Sequence, residues 1–172
     1  MKQHEAFAER PTQVLFVCTE NSARSIMAEA LLNHLGNGRF RAFSAGSRPS
    51  AHVHPQALAT LNEMAVPTAG LHSKSWEEFS QGREAPLDFV FTLCDRAAEE
   101  PCPTWPGQPI TAHWSTPDPV IADAPSPQLE RHFRDCAIGL RRRIELLLAV
   151  PLQSLDAMAL AREISAIADQ RA

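Results

Sequence analysis

The sequence predicts a three-layer α/β domain, because buried strands alternate with amphipathic helices along most of the chain. Strands are predicted at residues 13–17, 39–45 and 86–93, with a weaker fourth at 110–114. The first and third runs are mostly apolar, which is typical of parallel strands that are covered on both faces. Parallel strands need right-handed crossover connections, so we expect a four-stranded parallel sheet with helices on both faces.

Helices are predicted between these strands and after the last one. Apolar residues recur at helical spacing over 27–35, and a second helix over 55–64 begins with Pro, which is favoured in the first turn. From Gln128 to Pro151 the pattern is again helical, and residues 152–170 form a C-terminal helical extension. That extension could offer a surface to a partner, although packing on its own domain is the commoner fate of such a helix.

The composition indicates one domain over residues 1–172, with its core in 13–150. The chain is 44% hydrophobic and 21% charged, as in ordinary globular proteins. No run reaches the ~20 apolar residues that cross a bilayer, and acids replace the apolar core of a signal peptide, so we expect a cytoplasmic protein without a membrane partner. The net charge of -4 argues against a nucleic-acid partner. The three arginines at 141–143 are interpreted as a solvated helix face.

The cysteines provide the first indication of chemistry. A chain of this length buries an adequate core without a disulfide scaffold, so its thiols indicate catalysis, metal binding or simple burial. Cys136 lies among apolar residues of a predicted helix and is expected in the core. The spacing of Cys94 and Cys102 does not match structural zinc sites, so we expect no metal. A zinc site at these two cysteines would need histidine ligands as well, and the candidates are His52, His54 and His113.

The most informative motif is Cys18-Thr-Glu-Asn-Ser-Ala-Arg24, between a predicted strand and a predicted helix. The first turn of a helix presents free backbone N–H groups and a partial positive charge, so a loop at this place binds a tetrahedral oxyanion. The Arg24 guanidinium adds two parallel donors for the oxygens of the anion. The same positive field is expected to lower the pKa of Cys18 and to make its sulfur a nucleophile.

The residues expected to bind the substrate are Thr19, Glu20, Asn21, Ser22, Ala23, Arg24 and Ser25. Asn21 tolerates the left-handed backbone angles of a tight loop, and the Ser22 hydroxyl can hydrogen-bond the thiolate. Alternatively, both side chains cap the following helix. The Glu20 carboxylate would repel an anion and is expected to point to solvent.

Residues 14–30 (VLFVCTENSARSIMAEA) resemble the low-molecular-weight protein tyrosine phosphatase superfamily, and most closely its arsenate reductase branch. The similarity continues in the same order through short segments at 43–46, 92–95, 102–103, 112–114 and 117–119. The resemblance implies a flavodoxin-like fold with strand order 2-1-3-4. It also implies that Asp118, in its Asp-Pro pair, is the catalytic acid that protonates the leaving group.

The resemblance further implies a catalytic relay of Cys18, Cys94 and Cys102. Reduction of arsenate to arsenite needs a second thiol, and Cys94 follows a strand that this fold places about 4.8 Å from the strand of Cys18. That spacing lies within the ~7 Å between Cα atoms that a disulfide allows. Cys102 would then take over the disulfide and present it to thioredoxin, or to glutaredoxin with a low-molecular-weight thiol. No organic cofactor is implied, and a monomer or weak homodimer is expected.

Two other functions stay open at this point. The first is a phosphatase of phosphomonoesters, which would use Cys18, Arg24 and Asp118 through a cysteinyl-phosphate intermediate. The second is a non-catalytic protein that binds an oxyanion or responds to a metal.

Three departures from the family pattern bear on the substrate. The chain contains no Tyr, and residues 120–121 are aliphatic where the tyrosine phosphatases carry aromatic residues, which favours a small oxyanion. Trp105 or Trp114 could instead supply an aromatic wall. Some thioredoxin-coupled relatives bind potassium through an Asp at a position where this chain has Lys74, whose own charge could replace the ion.

Overall fold

The computed structural model describes residue 7 and the ranges 9–82 and 85–170. Its sheet contains the strands β1 (Thr12–Cys18), β2 (Phe40–Gly46), β3 (Phe89–Thr92) and β4 (Ile110–His113). All pairings are parallel and the order is β2-β1-β3-β4, which confirms the predicted sheet. β3 starts later than predicted, since Pro86 has no N–H for the ladder and Asp88 instead binds Arg10 and the Gln13 N–H.

The helices are α1 (Arg24–Leu35), α2 (Pro55–Glu63), α3 (Glu77–Ser80), α4 (Asp95–Glu99), α5 (Ser126–Ala149) and α6 (Ala157–Ala168). The sequence predicted α1, α2, α5 and α6. It missed α3 and α4, because helices of four and five residues are too short to show a 3.6-residue period. Within the described ranges, no helix combines the length and the apolar character that a membrane span requires.

Helices and loops cover both faces of the sheet, but unequally. On one face α1 and α5 pack together over Phe16 and Phe91, beside the fully buried Trp114. The rings of Phe91 and Trp114 stack with their centroids 4.0 Å apart. The opposite face carries Phe43, whose ring contacts Phe79 of α3. Of the described residues, those of the short helices α3 and α4 and their flanking loops cover this face, so the second layer is thin there.

The C-terminal helix α6 packs on the edge strand of its own domain, which confirms the commoner of its two expected fates. Leu160, Ile164 and Ile167 are buried, and the indole N–H of Trp114 donates to the Ile164 carbonyl at 3.2 Å. This contact completes the thick helical layer above β4.

The prediction of a solvated arginine face is wrong for Arg143. Its guanidinium is buried and donates to the carbonyls of residues 114 and 115, to the Thr116 hydroxyl and to the Ala168 carbonyl. Arg141 is exposed, as expected, and pairs with a glutamate one turn away. Arg143 faces inward because backbone carbonyls between β4 and α5 need donors where no secondary structure supplies them.

Candidate active site

The loop that begins at Cys18 lies at the carboxyl end of the central strand β1 and runs into α1. Four of its carbonyls accept hydrogen bonds from the segment 47–54: those of Cys18, Thr19, Glu20 and Ser22, at 2.9 to 3.3 Å. In a trans peptide the N–H of the next residue points opposite to the carbonyl. The N–H groups of residues 19, 20, 21 and 23 therefore turn away from that segment, which is the arrangement an anion cradle requires.

Gly46 allows this loop to approach the sheet. A Cβ atom at Gly46 would lie 2.5 Å from the Thr19 carbonyl oxygen and 3.0 Å from the Asn21 Cβ. Both neighbours belong to the loop itself, so no larger residue fits at Gly46 without moving it.

Asn21 holds the shape of the loop, as predicted. It is fully buried with φ +48°, donates from Nδ2 to the Ser25 hydroxyl at 2.9 Å, and accepts the Lys74 backbone N–H at 2.8 Å. The alternative that Asn21 and Ser22 cap α1 is wrong, since the N-cap is Ala23 and no side chain caps it. Glu20 is exposed, as expected.

The ammonium of Lys74 lies in a buried polar cluster beside the loop. It is 3.3 Å from the Glu29 carboxylate and 3.4 Å from the Ser44 hydroxyl, and it donates to the His72 carbonyl at 3.0 Å. Ser44 also hydrogen-bonds Glu29. These residues do not fit a bound potassium ion, since Lys74 already supplies the positive charge that Glu29 requires.

Arg24 joins the loop to the segment that carries Asp118. Its Nη1 donates to the Thr116 carbonyl at 2.9 Å, and its Nη2 lies 3.5 Å from the Asp118 carboxylate. Asp118 is half exposed and accepts the Val120 N–H. A cavity of about 620 Å³ lies between the loop and this segment, and Cys18, Arg24 and Asp118 all line it.

The described residues that line this cavity include no aromatic side chain. Trp114 is fully buried in the opposite direction, and Trp105 packs edge-on against Trp76. The possibility that a tryptophan replaces the missing phosphotyrosine wall is therefore wrong. A small oxyanion suits the cavity better than an aryl phosphate, because no ring is available for stacking.

Cys94 follows β3 and lines the same cavity as Cys18. The backbone brings them together, because β1 and β3 pair in parallel and Leu93 N–H donates to the Val17 carbonyl. The Cys94 sulfur interacts with the Thr19 hydroxyl and the Ala97 N–H, each at 3.4 Å. The cysteines of the described ranges are free thiols, so this is the reduced protein.

The ionisation of this pair differs from the sequence expectation. The hydrogen bond with Cys18, helped by Thr19 and the Ala97 N–H, lowers the pKa of Cys94 to about 5. The same hydrogen bond and burial raise the pKa of Cys18 well above its ordinary value, although Arg24 and the Ser25 N–H act in the predicted, lowering direction. Two sulfurs this close cannot both be anionic, so the pair carries at most one negative charge.

Cys102 does not line this cavity. It is exposed beyond the end of α4 and lines a separate cavity of about 410 Å³ with Val90, Trp105 and His113. Helix α4 stands between the two cavities, with Cys94 at its N-cap. Cys136 is buried in α5, as expected, and burial raises its pKa to about 12.

The sheet order is that of the phosphatase-type fold, and a cysteine and an arginine stand at the two ends of the loop that follows β1 and line its cavity. Residues 13–158 match the family "low molecular weight phosphotyrosine protein phosphatase". The chain belongs to that family.

Similar proteins and solved structures carry a more specific description. The glutaredoxin arsenate reductase of Synechocystis sp. is 34% identical over 137 residues, which cover 80% of this chain and 96% of the relative. A solved arsenate reductase in its phosphate-binding state is 33% identical, with a TM-score of 0.65 over 80% of this chain and 97% of that one. The thioredoxin-dependent arsenate reductase of Corynebacterium glutamicum is 25% identical, with a TM-score of 0.55 over 84% of this chain and 68% of that one.

Proposed function

We propose that this protein reduces arsenate to arsenite by a relay of Cys18, Cys94 and Cys102. The observation that carries the proposal is that Cys18 and Cys94 share one cavity and one hydrogen bond at the carboxyl ends of neighbouring strands. A phosphatase of this type needs one sulfur, whereas a two-electron reduction needs the second. The similarity to arsenate reductases supports the same assignment.

The first step is the attack of Cys18 on arsenic. The proton of Cys18 passes to Cys94 along their hydrogen bond, which leaves the nucleophilic sulfur beside Arg24. Loop N–H groups and Arg24 hold the arsenate oxygens, and Asp118 protonates the departing oxygen, which leaves as water. The product is an arsenic(V) adduct with a new bond from Cys18 sulfur to arsenic.

Cys94 then loses its proton to solvent and attacks the Cys18 sulfur. A disulfide forms, the sulfur–arsenic bond breaks, and its electron pair stays on arsenic, which leaves as arsenite. The Cys102 thiolate next attacks the Cys94 sulfur, so that Cys18 departs as a thiolate and the oxidation moves to a Cys94–Cys102 disulfide. Thioredoxin, or glutaredoxin with a low-molecular-weight thiol, reduces that disulfide. We place this single-domain protein, a monomer or weak homodimer, in the cytoplasm, where thiols stay reduced.

An NADPH-coupled arsenate assay tests the relay, run once with thioredoxin and its reductase and once with glutaredoxin, glutathione and glutathione reductase. We expect Cys18→Ser, Cys94→Ser and Cys102→Ser each to abolish steady turnover. Cys136→Ala is the matched control, a buried thiol outside the cavity, and it retains turnover. Retained arsenate reduction in Cys94→Ser would overturn the relay.

A phosphatase is the second candidate, since its chemistry needs only Cys18, Arg24 and Asp118, which line the cavity. Hydrolysis of para-nitrophenyl phosphate measures it directly. If phosphate hydrolysis were the main reaction, its kcat/KM in the wild type would exceed that of arsenate reduction and would survive Cys94→Ser and Cys102→Ser. We expect the opposite ranking, because the cavity offers no aromatic wall among its described residues.

A further inference from the structure

A polar cluster surrounds the first residue of α4, immediately after Cys94. The Asp95 carboxylate accepts the Nε2 hydrogen of His113 at 2.8 Å and the Ser115 hydroxyl at 2.9 Å. His113 is the last residue of β4, and Ser115 begins the segment that leads to Asp118. Asp95 therefore ties the start of α4 to the neighbouring strand and to the segment of the catalytic acid.

His113 also holds the chain on the other side of Cys94. Its Nδ1 lies 2.8 Å from the Thr92 hydroxyl and 3.1 Å from the Thr92 carbonyl oxygen. Both ring nitrogens of His113 are therefore engaged, Nε2 with Asp95 and Nδ1 with Thr92. Thr92 lies two residues before Cys94, and Asp95 lies directly after it. The His113 side chain therefore holds the chain on both sides of the Cys94 sulfur.

The far end of α4 is held in a similar way. Glu100 follows α4, and its carboxylate lies 3.5 Å from Arg48 in the segment that braces the oxyanion loop. The contacts of Asp95 with His113 and Ser115, called the Asp95 clasp from here on, lie at the surface, since the Asp95 side chain is 77% exposed. The contact at the far end joins an Arg48 side chain that is 73% exposed to a Glu100 side chain that is 17% exposed. Exposed polar contacts open at little cost, so the Asp95 clasp holds the start of α4 without locking it.

We propose that Asp95 is a positioning residue for the thiol relay, through its contacts with His113 and Ser115. Closed, the Asp95 clasp keeps Cys94 in the cavity of Cys18 for the first disulfide. Open, it releases Cys94 from that cavity so that Cys102, in the cavity on the other side of α4, reaches its sulfur. This inference rests on the proposed relay. It assigns to the Asp95 clasp the control of when the Cys18–Cys94 disulfide forms and when it is exchanged for Cys94–Cys102.

The proposal requires opposite effects on the two disulfides. Loss of the clasp lets Cys94 spend less time beside Cys18, so the Cys18–Cys94 disulfide forms more slowly. The same loss lowers the barrier for Cys94 to leave the cavity of Cys18, so the exchange to the Cys94–Cys102 disulfide becomes faster. A general loss of stability would not slow one exchange and accelerate the other.

The experiment is a single turnover of the fully reduced protein with arsenate. Samples are quenched with acid and an alkylating reagent, and the disulfide-linked peptides are quantified by mass spectrometry over time. For Asp95→Ala we expect the first disulfide to form about two to five times more slowly and its conversion to Cys94–Cys102 to accelerate by a similar factor, as suits an exposed contact. A Cys102→Ser background isolates the first rate.

Four further variants separate the effect of the clasp from effects of charge and of folding. Asp95→Asn keeps an acceptor oxygen for His113 and Ser115 but removes the charge, so both rates should return toward wild type. His113→Ala should reproduce Asp95→Ala, and the double variant should add nothing further. Asp156→Ala removes another exposed aspartate, the N-cap of α6, and should leave both rates unchanged.

Equal rates in Asp95→Ala and wild type would overturn the clasp and leave the relay standing. A shift of both rates in the same direction would also overturn it, because that result indicates a structural effect alone. Absence of any Cys18–Cys94 disulfide in the wild type would overturn the relay, and the clasp with it.

Discussion

The two segments that bring sulfur to the cavity, 18–25 and 94–102, begin at the ends of neighbouring strands but are held very differently. Residues 18–25 are braced by buried hydrogen bonds and lead into a twelve-residue helix. Residues 94–102 contain a five-residue helix whose ends are held by surface contacts. In the relay that we propose, this difference would divide two tasks: the firmly held loop binds the oxyanion, and the lightly held segment moves the oxidation from Cys18 to Cys102.

The largest expected effect is on the pKa values of Cys18 and Cys94, the two thiols at which the segments meet. Thiolate absorbance of the reduced wild type should show a transition with a pKa of about 5, which Cys94→Ser removes. In that variant the pKa of Cys18 should fall relative to wild type, because its hydrogen bond with Cys94 is the main cause that raises it. The pH dependence of Cys18 alkylation measures this, and an unchanged profile would contradict the shared proton.

The next prediction concerns the buried polar cluster of Lys74 and Glu29 beside the Cys18 loop. Lys74→Met leaves the Glu29 carboxylate, whose side chain is 12% exposed, without its cation. Breaking a pair of this kind lowers the free energy of unfolding by about 3 kcal/mol. Urea denaturation measures the change, and the double variant Lys74→Met/Glu29→Gln should recover most of it. A loss below about 0.5 kcal/mol in the single variant would show that the cluster does not brace the fold.

A smaller effect is expected where the loop approaches the sheet. The added methyl of Gly46→Ala would lie 2.5 Å from the Thr19 carbonyl, so the anion cradle must shift. Phosphate affinity, measured by calorimetry, should fall about tenfold, since misplaced donors lose part of each charge-assisted bond. Gly82→Ala is the matched control, because its Cβ meets nothing within 4 Å. Equal phosphate affinity in both variants would mean that the loop adapts.

The smallest effect belongs to the lightly held segment. Arg48→Ala removes the exposed partner of Glu100. The free energy of unfolding should fall by about 1 kcal/mol, because Arg48 is 73% exposed although the Glu100 side chain beside it is only 17% exposed. Thermal unfolding of wild type and variant measures it. A loss comparable with that of Lys74→Met would erase the distinction between the two segments.

Several site features could be predicted from the sequence because they depend on local patterns. The Cys18 loop was found from its neighbours, a buried strand before it and a helix after it. The positive φ of Asn21 follows from the residue type, and the solvent position of Glu20 follows from its charge. The short helix α4 could not be found in this way, since one turn leaves no periodic signal.

The contacts that tune the site involve residues far apart in the chain. Arg24 meets the Thr116 carbonyl across 92 positions, and Thr19 meets Cys94 across 75. No pattern within a window of sequence encodes such pairs. For the same reason the sequence indicates the lowering effect of Arg24 on the pKa of Cys18, but not the raising effect of the hydrogen bond with Cys94.

By itself, the sequence determined the alternation of strands and helices, the oxyanion loop between β1 and α1, and the set of thiols available for chemistry. Periodicity and short-range steric preferences set these features. Only the tertiary structure decided that Cys18 and Cys94 line one cavity, that Lys74 fills the polar cluster, and that α4 separates Cys102 from that cavity. Electrostatic and hydrogen-bonding energies depend on distances across the folded chain, and folding alone sets those distances.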